Sequence, residues 1–425
     1  MSSQKFVCAV AVVLLGTWVR DARGDEASAL AALRKPGAGV FEKRDESRLG
    51  KPVVELLVGG ADGEVTEESL KHLSEFKQLR SLTLATDQNI EAALKVVAGL
   101  EHLEHLQLCL PKCPPTAARV TAAGLKELAR LTTLRSLDLS QSALKDDAWK
   151  SLGGLKSLRE LDLAYTEVND TRLSLLAPLT QLQTLDLTGT SVTGTGFKQL
   201  GGLKELRTLN LCSTKVTDAG LKEIARLPQL RALKLLGTEM TDAGLSALAP
   251  LVRLESLNLS IEVSDDGLKA ISDLKKLRSL AFWSDKTTAE GLKQLAALPA
   301  LRELRLSKVT GDGWKELLAL TQLEKLGFRC DPGLTTEQWR ELARLAQLRV
   351  LNVGDADLSV ESCQALATMK QLRELNLGNA VMTERGFRQL YALTDLQVLW
   401  INTSQLTDSA IEELQKALPK CEVKR

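Results

Sequence analysis

Hydrophobic and polar positions recur along this chain in one unit, which residues 206–230 show most clearly. The first half, Leu-x-x-Leu-x-Leu over residues 206–211, alternates apolar and polar positions as a half-buried strand does. The second half spaces Leu221, Ile224 and Leu227 three residues apart, which is the apolar stripe of a short helix. A strand and a helix this short cannot bury both apolar faces alone, so each unit must stack on copies of itself.

Copies of the strand pattern continue from Val53 to the end of the chain. Most of the intervals between them are 24 residues. The opening residues are Val53, Leu79, Leu103, Leu134, Leu158, Leu182, Leu206, Leu230, Leu254, Leu277, Leu301, Leu323, Leu348, Leu372 and Leu396. Such regularity predicts a solenoid, which grows by addition of units and needs no single central core.

The helical half of the unit opens with a second motif, x-T-D-x-G-L, at residues 216–221 and 240–245, and as V-S-D-D-G-L at residues 263–268. The Thr or Ser hydroxyl and the Asp carboxylate can accept the unpaired N–H groups of the first helical turn. Together the two motifs resemble the leucine-rich repeat family, in its cysteine-containing subclass. That subclass is known from F-box substrate receptors and from exported bacterial repeat proteins. One departure is a hydroxyl residue where the subclass often has Cys or Asn: Ser142, Thr166, Thr190, Thr214, Thr238 and Ser404.

The resemblance implies an α/β fold, a right-handed leucine-rich-repeat solenoid of about fifteen repeats of about 24 residues. Its parallel sheet lies on the concave side and its short helices on the convex side. Residues 53–416 form the repeat domain. Residues 25–52, with a helix at 27–33 and an edge strand at 40–41, are predicted to cap the first repeat, and residues 417–425 the last.

Residues 1–24 have the pattern of an export signal. Lys5 precedes an apolar run at residues 6–19, and small residues at 22 and 24 suit a cleavage site. The run is shorter than the roughly 20 residues of a membrane span, and an uncleaved anchor is the alternative. We therefore predict an exported protein, periplasmic, at the cell surface or secreted, with no membrane span after cleavage. An adaptor like the F-box receptors requires these residues to be retained in the cytoplasm.

Charge and chemistry exclude several classes of function. Lys plus Arg (55) nearly balance Asp plus Glu (54), so no nucleic acid is expected as a partner. The three histidines all lie near the N-terminal end, so no Ser-His-Asp or Cys-His arrangement recurs across the sheet, and the chain is predicted not to be an enzyme. Cys109 and Cys113 either form a local disulfide or, with His102 and His105, offer the residue types of a zinc site. An oxidising compartment favours the disulfide, and no metal or cofactor is predicted.

Two groups of outward residues on the concave face are candidate binding residues. The first is a row of acidic and amide side chains: Asp138, Asp162, Asp186 and Asn210. It is either a solvated polar face or a patch for a basic partner or a cation. Arginines that follow the opening leucines could neutralise it, which favours the first interpretation: Arg80, Arg135, Arg159, Arg207, Arg231, Arg278, Arg302, Arg349 and Arg373.

The second group contains Trp283 and Trp400, at positions predicted to be outward in their strands, with Arg305 and Arg329 close to Trp283 in the stacked order. Aromatic residues and arginine together are typical of an interface hot spot, and partial burial by neighbours is the alternative. Other large aromatic residues occupy a core slot of the helix: Trp149, Phe197, Trp314, Trp339 and Phe387. The function predicted first is a non-enzymatic module that binds a protein partner on its concave face. The alternatives are a glycan or cell-envelope polymer binder, with the two tryptophans as stacking platforms, or an F-box-like adaptor.

Overall fold

The computed structural model describes residues 24–34, 39–48, 50–59, 67–85, 90–109, 120–259, 262–309, 311–329, 333–354, 356–402 and 407–424, with no side-chain description at 24, 25 and 67. The predicted export signal therefore lies almost wholly outside the described residues. Most of the insertion that follows Cys109 does too.

The strands of the described residues alternate with helices along almost the whole chain. They are β1 Gly39–Arg44, β2 Val53–Gly59, β3 Ser81–Ala85, β4 His105–Cys109, β5 Ser136–Asp138, β6 Glu160–Asp162, β7 Thr184–Asp186, β8 Thr208–Asn210, β9 Ala232–Leu235, β10 Ser256–Leu259, β11 Ser279–Ala281, β12 Glu303–Arg305, β13 Lys325–Arg329, β14 Val350–Gly354, β15 Asp357–Leu358, β16 Glu374–Asn376, β17 Val381–Met382, β18 Val398–Trp400 and β19 Glu422–Lys424. Within these ranges one sheet contains 17 strands, and β15 and β17 pair separately.

The helices are short. They are α1 Gly24–Leu33, α2 Glu67–Lys71, α3 Ile90–Val97, α4 Ala122–Leu128, α5 Asp146–Leu152, α6 Asp170–Leu173, α7 Asp218–Ile224, α8 Asp265–Ile271, α9 Ala289–Gln294, α10 Gly313–Leu318, α11 Thr336–Leu342, α12 Val360–Leu366, α13 Glu384–Gln389 and α14 Asp408–Ala417. Segments of 3-10 helix extend or replace them at His72–Glu75, Ser174–Leu176, Thr195–Gln199, Asp242–Leu248, Leu295–Ala297 and Leu390–Ala392. Over the ranges that the structure describes, none of these helices has the length and apolar character that a bilayer crossing needs.

The long sheet is parallel from β2 to β19, and its register repeats from one unit to the next. The second leucine of each strand motif lies opposite its counterpart, as Leu161, Leu185 and Leu209 do. All three are buried, and Leu221 and Ile224 of α7 are buried behind them. The predicted α/β leucine-rich-repeat fold, a long parallel sheet backed by short helices, is confirmed.

The T-D-x-G part of the unit links each repeat to the next on the helix side. Thr217 caps α7 by accepting a hydrogen bond from the N–H of Gly220. Asp218 accepts two bonds from the following repeat, from the Thr241 N–H at 2.8 Å and the Thr241 hydroxyl at 2.7 Å. A Cβ atom at Gly244 would lie 2.2 Å from Oδ1 of Asp218, so this close approach requires glycine. The same carboxylate links join Asp242 to Ser264 and Asp265 to Thr288.

Hydroxyl side chains lie three residues after the last leucine of several strand motifs. The Thr190 hydroxyl is buried and donates to the carbonyl of Leu187 at 2.7 Å. Equivalent bonds are formed by Thr166, Thr214 and Thr238. A loop carbonyl is satisfied in each case.

Both ends of the described sheet carry extra elements. The helix and strand expected before the repeats occur as α1 and β1, and β1 pairs antiparallel with β2. Glu26 of α1 is buried, accepting the N–H of Val53 and facing Arg44 at 3.4 Å. At the other end α14 leads into β19, which pairs with β18.

Candidate interaction surface on the open face of the sheet

The open face, defined here as the side of the sheet away from the helices, has its outward residues aligned in rows by the parallel register. The middle row, called the central row, follows one aligned position from β3 to β19. Its members are Thr83, Gln107, Asp138, Asp162, Asp186, Asn210, Lys234, Asn258, Ala281, Arg305, Gly327, Asn352, Asn376, Trp400 and Lys424. Six of the eight candidate residues therefore belong to one row.

The acidic members of the central row shape the turns after their strands. Asp138, Asp162 and Asp186 each accept, at 2.8 Å, the N–H group two residues further along the chain. Amide side chains flank the three carboxylates, since Gln107 donates to Asp138 and Asn210 donates to Asp186, both at 2.7 Å. The acids thus have a structural role as acceptors, whatever else they bind.

Asp162 lies in the middle of this acidic row. Burial raises its pKa to about 6, and the charges of Asp138 and Asp186 add to that rise. The hydrogen bond from the N–H of Ala164 acts in the opposite direction. A carboxyl whose neighbours on both adjacent strands are also carboxylates is costly to ionise.

Arginines at the strand starts do not neutralise this row in the described part of the chain, so that expectation is wrong. Arg207 pairs with Glu205 of its own loop at 3.1 Å, and the other ion pairs run to acidic residues on the loop before the next strand. These pairs include Arg80 with Glu104 at 3.8 Å, Arg231 with Glu255 at 2.8 Å and Arg302 with Glu324 at 3.6 Å. The guanidinium groups lie near the start of each strand, whereas the aspartates lie at its end.

The two outward tryptophans differ in their settings. β11 ends at Ala281, which is in register with Arg305, so Trp283 lies two residues beyond the strand rather than in it. Its prediction as a strand residue is wrong, although it is 44% exposed. Trp400 is in β18 and is 41% exposed. The ammonium of Lys424 lies 4.9 Å from the centroid of the Trp400 ring.

A depression on the open face has two of the candidate residues in its lining, Arg305 and Trp400. We call it the trough. It has a volume of about 100 Å³, and its lining residues are Arg305, Lys325, Leu326, Val350, Asn352, Glu374, Asn376 and Trp400. Gly327 lies between its two ends, and a Cβ atom there would meet the Arg305 side chain at 3.3 Å. Neither Trp283 nor Arg329 lines the trough, and their grouping with Arg305 stays a prediction.

Other residues of this face were not singled out in the sequence. Asn352 and Asn376 could have been found by extending the row of Asp138 to later repeats, whereas Glu374 carries no signal beyond its outward position. Tyr165 is 55% exposed with a φ of +57°. A Cβ atom at Gly189 would lie 2.4 Å from Cδ1 of the Tyr165 ring. No sequence pattern predicts this contact.

The cysteine predictions divide between described and undescribed residues. Cys363 is buried, and burial raises the pKa of its thiol to about 11. Cys109 ends β4, whereas Cys113 lies outside the described residues, so their disulfide stays a prediction. The part of the chain with assigned positions contains no group of three or more His, Cys, Asp or Glu side chains suited to a metal ion.

Comparison with known proteins identifies the repeat. The sequence profile of the family described as leucine-rich repeat region matches residues 64–330 and 194–420. No curated protein matches the chain. Similar solved structures include an internalin from Listeria monocytogenes, 22% identical over 95% of this chain and 94% of that one, with a TM-score of 0.45. A leucine-rich repeat protein from Leptospira interrogans is 21% identical over 85% of this chain and 95% of that one, with a TM-score of 0.47. A TLR13–ssRNA13 complex is 16% identical over 87% of this chain and 61% of that one, with a TM-score of 0.44. These likenesses concern the fold alone.

Proposed function

The chain belongs to the leucine-rich repeat family, and from that premise we propose that it is a non-enzymatic module that binds a protein partner on the open, concave face of its sheet. The supporting observation is the trough, where Arg305 and Trp400 border one depression of the open face. Indole and guanidinium groups supply much of the binding energy in protein interfaces. A long rigid sheet provides area and shape for recognition rather than chemistry.

The setting that we propose is outside the cell. The charged start, apolar run and small residues of positions 1–24 support an export signal. We assign residues 25–52 to an N-terminal cap, 53–416 to the repeat domain and 417–425 to a C-terminal cap. The x-T-D-x-G-L motif supports membership of the cysteine-containing subclass, of the exported bacterial type.

A protein is preferred to a nucleic acid as the partner because the charges of the chain nearly cancel. In the described central row Asp138, Asp162 and Asp186 lie on consecutive strands, and the positions that flank them, Gln107 and Asn210, are uncharged. A polyanion would meet repulsion there. We propose that Asp138, Asp162, Asp186 and Asn210 form the margin of the contact surface and that the trough forms its centre.

The test uses the full chain, affinity-tagged, against envelope extract and culture medium of its source cells. Proteins retained by the wild type are identified and purified, and their Kd is measured directly. Replacing Arg305 and Trp400 together by alanine is expected to weaken binding at least about tenfold, equivalent to about 1.4 kcal/mol. Trp283→Ala is the matched control, since it removes an equally exposed indole outside the trough.

A purified partner whose Kd is unchanged in the Arg305/Trp400 double variant would contradict the trough as the contact centre. Thermal melting of each variant accompanies the binding measurement, because only a folded variant tests the contact. Mass analysis of the mature N-terminus addresses the setting. A chain that begins at Asp25 supports export, and a chain that keeps residues 1–24 in the cytoplasm supports the F-box-like adaptor instead.

A glycan is the second candidate ligand, on the observation that Trp283 and Trp400 are each more than 40% exposed. Sugar rings stack on exposed indoles, and amides such as Asn352 and Asn376 can bind hydroxyl groups. A glycan array probed with the wild type and with the Trp400→Ala variant distinguishes this function from protein binding.

A further inference from the structure

The two ends of the trough carry opposite charge. At the first end lie Arg305 on β12 and Lys325 on β13. Glu303 is 3.1 Å from Arg305 and offsets one of these two cations. Lys325 forms no ion pair with any described residue, so this end keeps an uncompensated positive charge beside the depression.

The second end consists of Glu374 on β16 and Trp400 on β18. Glu374 likewise has no ion-pair partner among the residues with assigned positions. Trp400 already receives one ammonium, that of Lys424 from β19, and Glu422 neutralises that cation at 3.3 Å. The indole also borders the trough, whose lining includes Glu374 on the adjacent strand, two positions before Asn376, the residue in register with Trp400. An aromatic ring beside a carboxylate attracts a cation.

Val350 keeps the two ends apart. It lies between Lys325 and Glu374 in the register, so their backbones are two strands, roughly 10 Å, apart. Arg305 and Trp400 are four strands, roughly 19 Å, apart. Opposite charges at these separations on an exposed face neutralise each other only weakly in water. Both ends are therefore available to a ligand of complementary charge.

Polar groups between the ends suit a peptide backbone. Asn376 accepts the N–H of Gly378 at 2.9 Å with its Oδ1 atom, which leaves its NH₂ group to donate. Asn352 lies beside it on β14. Gly354, two residues beyond Asn352 on β14, has open space where a side chain would be. Amides in such a place can pair with the carbonyl and N–H groups of an extended chain.

We propose that the trough binds an extended peptide segment carrying one acidic and one basic side chain three to six residues apart. The carboxylate lies at Arg305 and Lys325, and the cation lies at Trp400 and Glu374. The spacing follows from roughly 10–19 Å between the ends and about 3.3 Å per extended residue. This inference rests on the proposed function and specifies the chemistry of the partner.

The experiment uses fluorescein-labelled peptides of Gly and Ser that contain one Asp and one Arg separated by one to eight positions. Anisotropy titrations at 50 mM NaCl give the Kd for the full chain. We expect the tightest binding at separations of three to six, at least fivefold tighter than for peptides with Asp→Asn or Arg→Gln. Lys325→Glu and Glu374→Lys should each weaken that best peptide at least fivefold. The matched controls are Lys222→Glu and Glu412→Lys, exposed residues of helices α7 and α14.

Several results overturn the inference. The inference is wrong if the peptide affinity does not depend on the spacing. It is also wrong if the affinity is unchanged in both trough variants while thermal melting shows that they are folded. A neutral oligosaccharide that binds at Trp400 when no peptide does replaces it with a glycan site. If binding of a purified protein partner requires Arg305 and Trp400 but no dipolar peptide binds at any spacing, the inferred charge pattern of the ligand is wrong and the proposed function stands. If the peptides bind as expected and no protein partner depends on the trough, the proposed function fails instead.

Discussion

At the scale of single residues, Asp162 combines a structural role with an electrostatic cost. Its carboxylate accepts the N–H of Ala164, while Asp138 and Asp186 lie on the adjacent strands. The pKa of Asp162 is raised from 3.8 to about 6, first by burial and then by the two carboxylates. Well below pH 4 the group is protonated in both the folded and the unfolded state, and its raised pKa does not change the stability. As the pH rises through 4 to 6 only the unfolded state ionises readily, so stability falls.

Asp162→Asn is therefore expected to stabilise the protein at neutral pH. Asparagine can keep the turn hydrogen bond, as Asn210 does with the N–H of Cys212. After allowance for solvent screening the gain is about 1–2 kcal/mol at pH 7.5, and it disappears toward pH 4. Urea unfolding of both proteins from pH 4 to pH 8 measures it. Asp273→Asn, at a side chain that is 85% exposed, is the control and should follow the wild type throughout. Parallel pH profiles for wild type and Asp162→Asn would refute the raised pKa.

The same residues show where reading the sequence succeeds and where it stops. Period-2 alternation placed Asp162, Arg305 and Trp400 on one face, because the side-chain direction in a strand is fixed by position. It could not show that β11 ends before Trp283, since strand length depends on hydrogen bonds to both neighbouring strands. Nor could the alternation show that Gly327 lets the Arg305 side chain extend toward Trp400. How far a side chain extends along the row depends on every side chain at the positions in between.

At the scale of the element, the T-D-x-G motif acts between repeats as well as within them. The sequence predicted Thr217 as a helix cap, which is confirmed. It did not predict that Asp218 binds Thr241 of the next repeat or that Gly244 is small for the same reason. Capping is local and is readable from one unit. A contact between units emerges only once the stacking register is known.

Gly244→Ala is expected to destabilise the protein by about 1–3 kcal/mol, because the new Cβ displaces the Asp218 carboxylate and its two hydrogen bonds from Thr241. Gly201→Ala is the control, since a Cβ there meets nothing within 4 Å. Asp218→Ala removes the same bonds and also makes room for the Cβ. In that background Gly244→Ala should cost little, so a denaturant-based double-mutant cycle should show strong coupling. Additive costs would mean that Gly244 is required for another reason.

At the scale of the whole molecule, stability is expected to be a sum over neighbouring repeats rather than the property of one core. Leucines of the strand motif are buried to a similar degree from β3 to β18. Each contacts its own repeat and the repeats on either side. The regular interval made this architecture the most predictable feature of the chain, since the same burial problem and the same solution recur in every unit. A local feature such as the trough cannot be predicted from the repeat pattern. It depends on the residues in which successive units differ.

Pairs of core substitutions test this distributed stability. Leu209→Ala and Leu375→Ala should each cost about 2–5 kcal/mol, because each empties a fully buried slot. They lie seven strands apart, so their costs should add within about 0.5 kcal/mol. Leu209→Ala combined with Leu233→Ala, on the adjacent strand and in register, should depart from additivity, since the two cavities share walls. Urea titrations of the three single and two double variants provide the comparison, with Lys215→Ala, at an exposed loop residue, expected to cost under about 0.5 kcal/mol. Equal coupling in the near and the distant pair would indicate one cooperative core in place of a stack of neighbours.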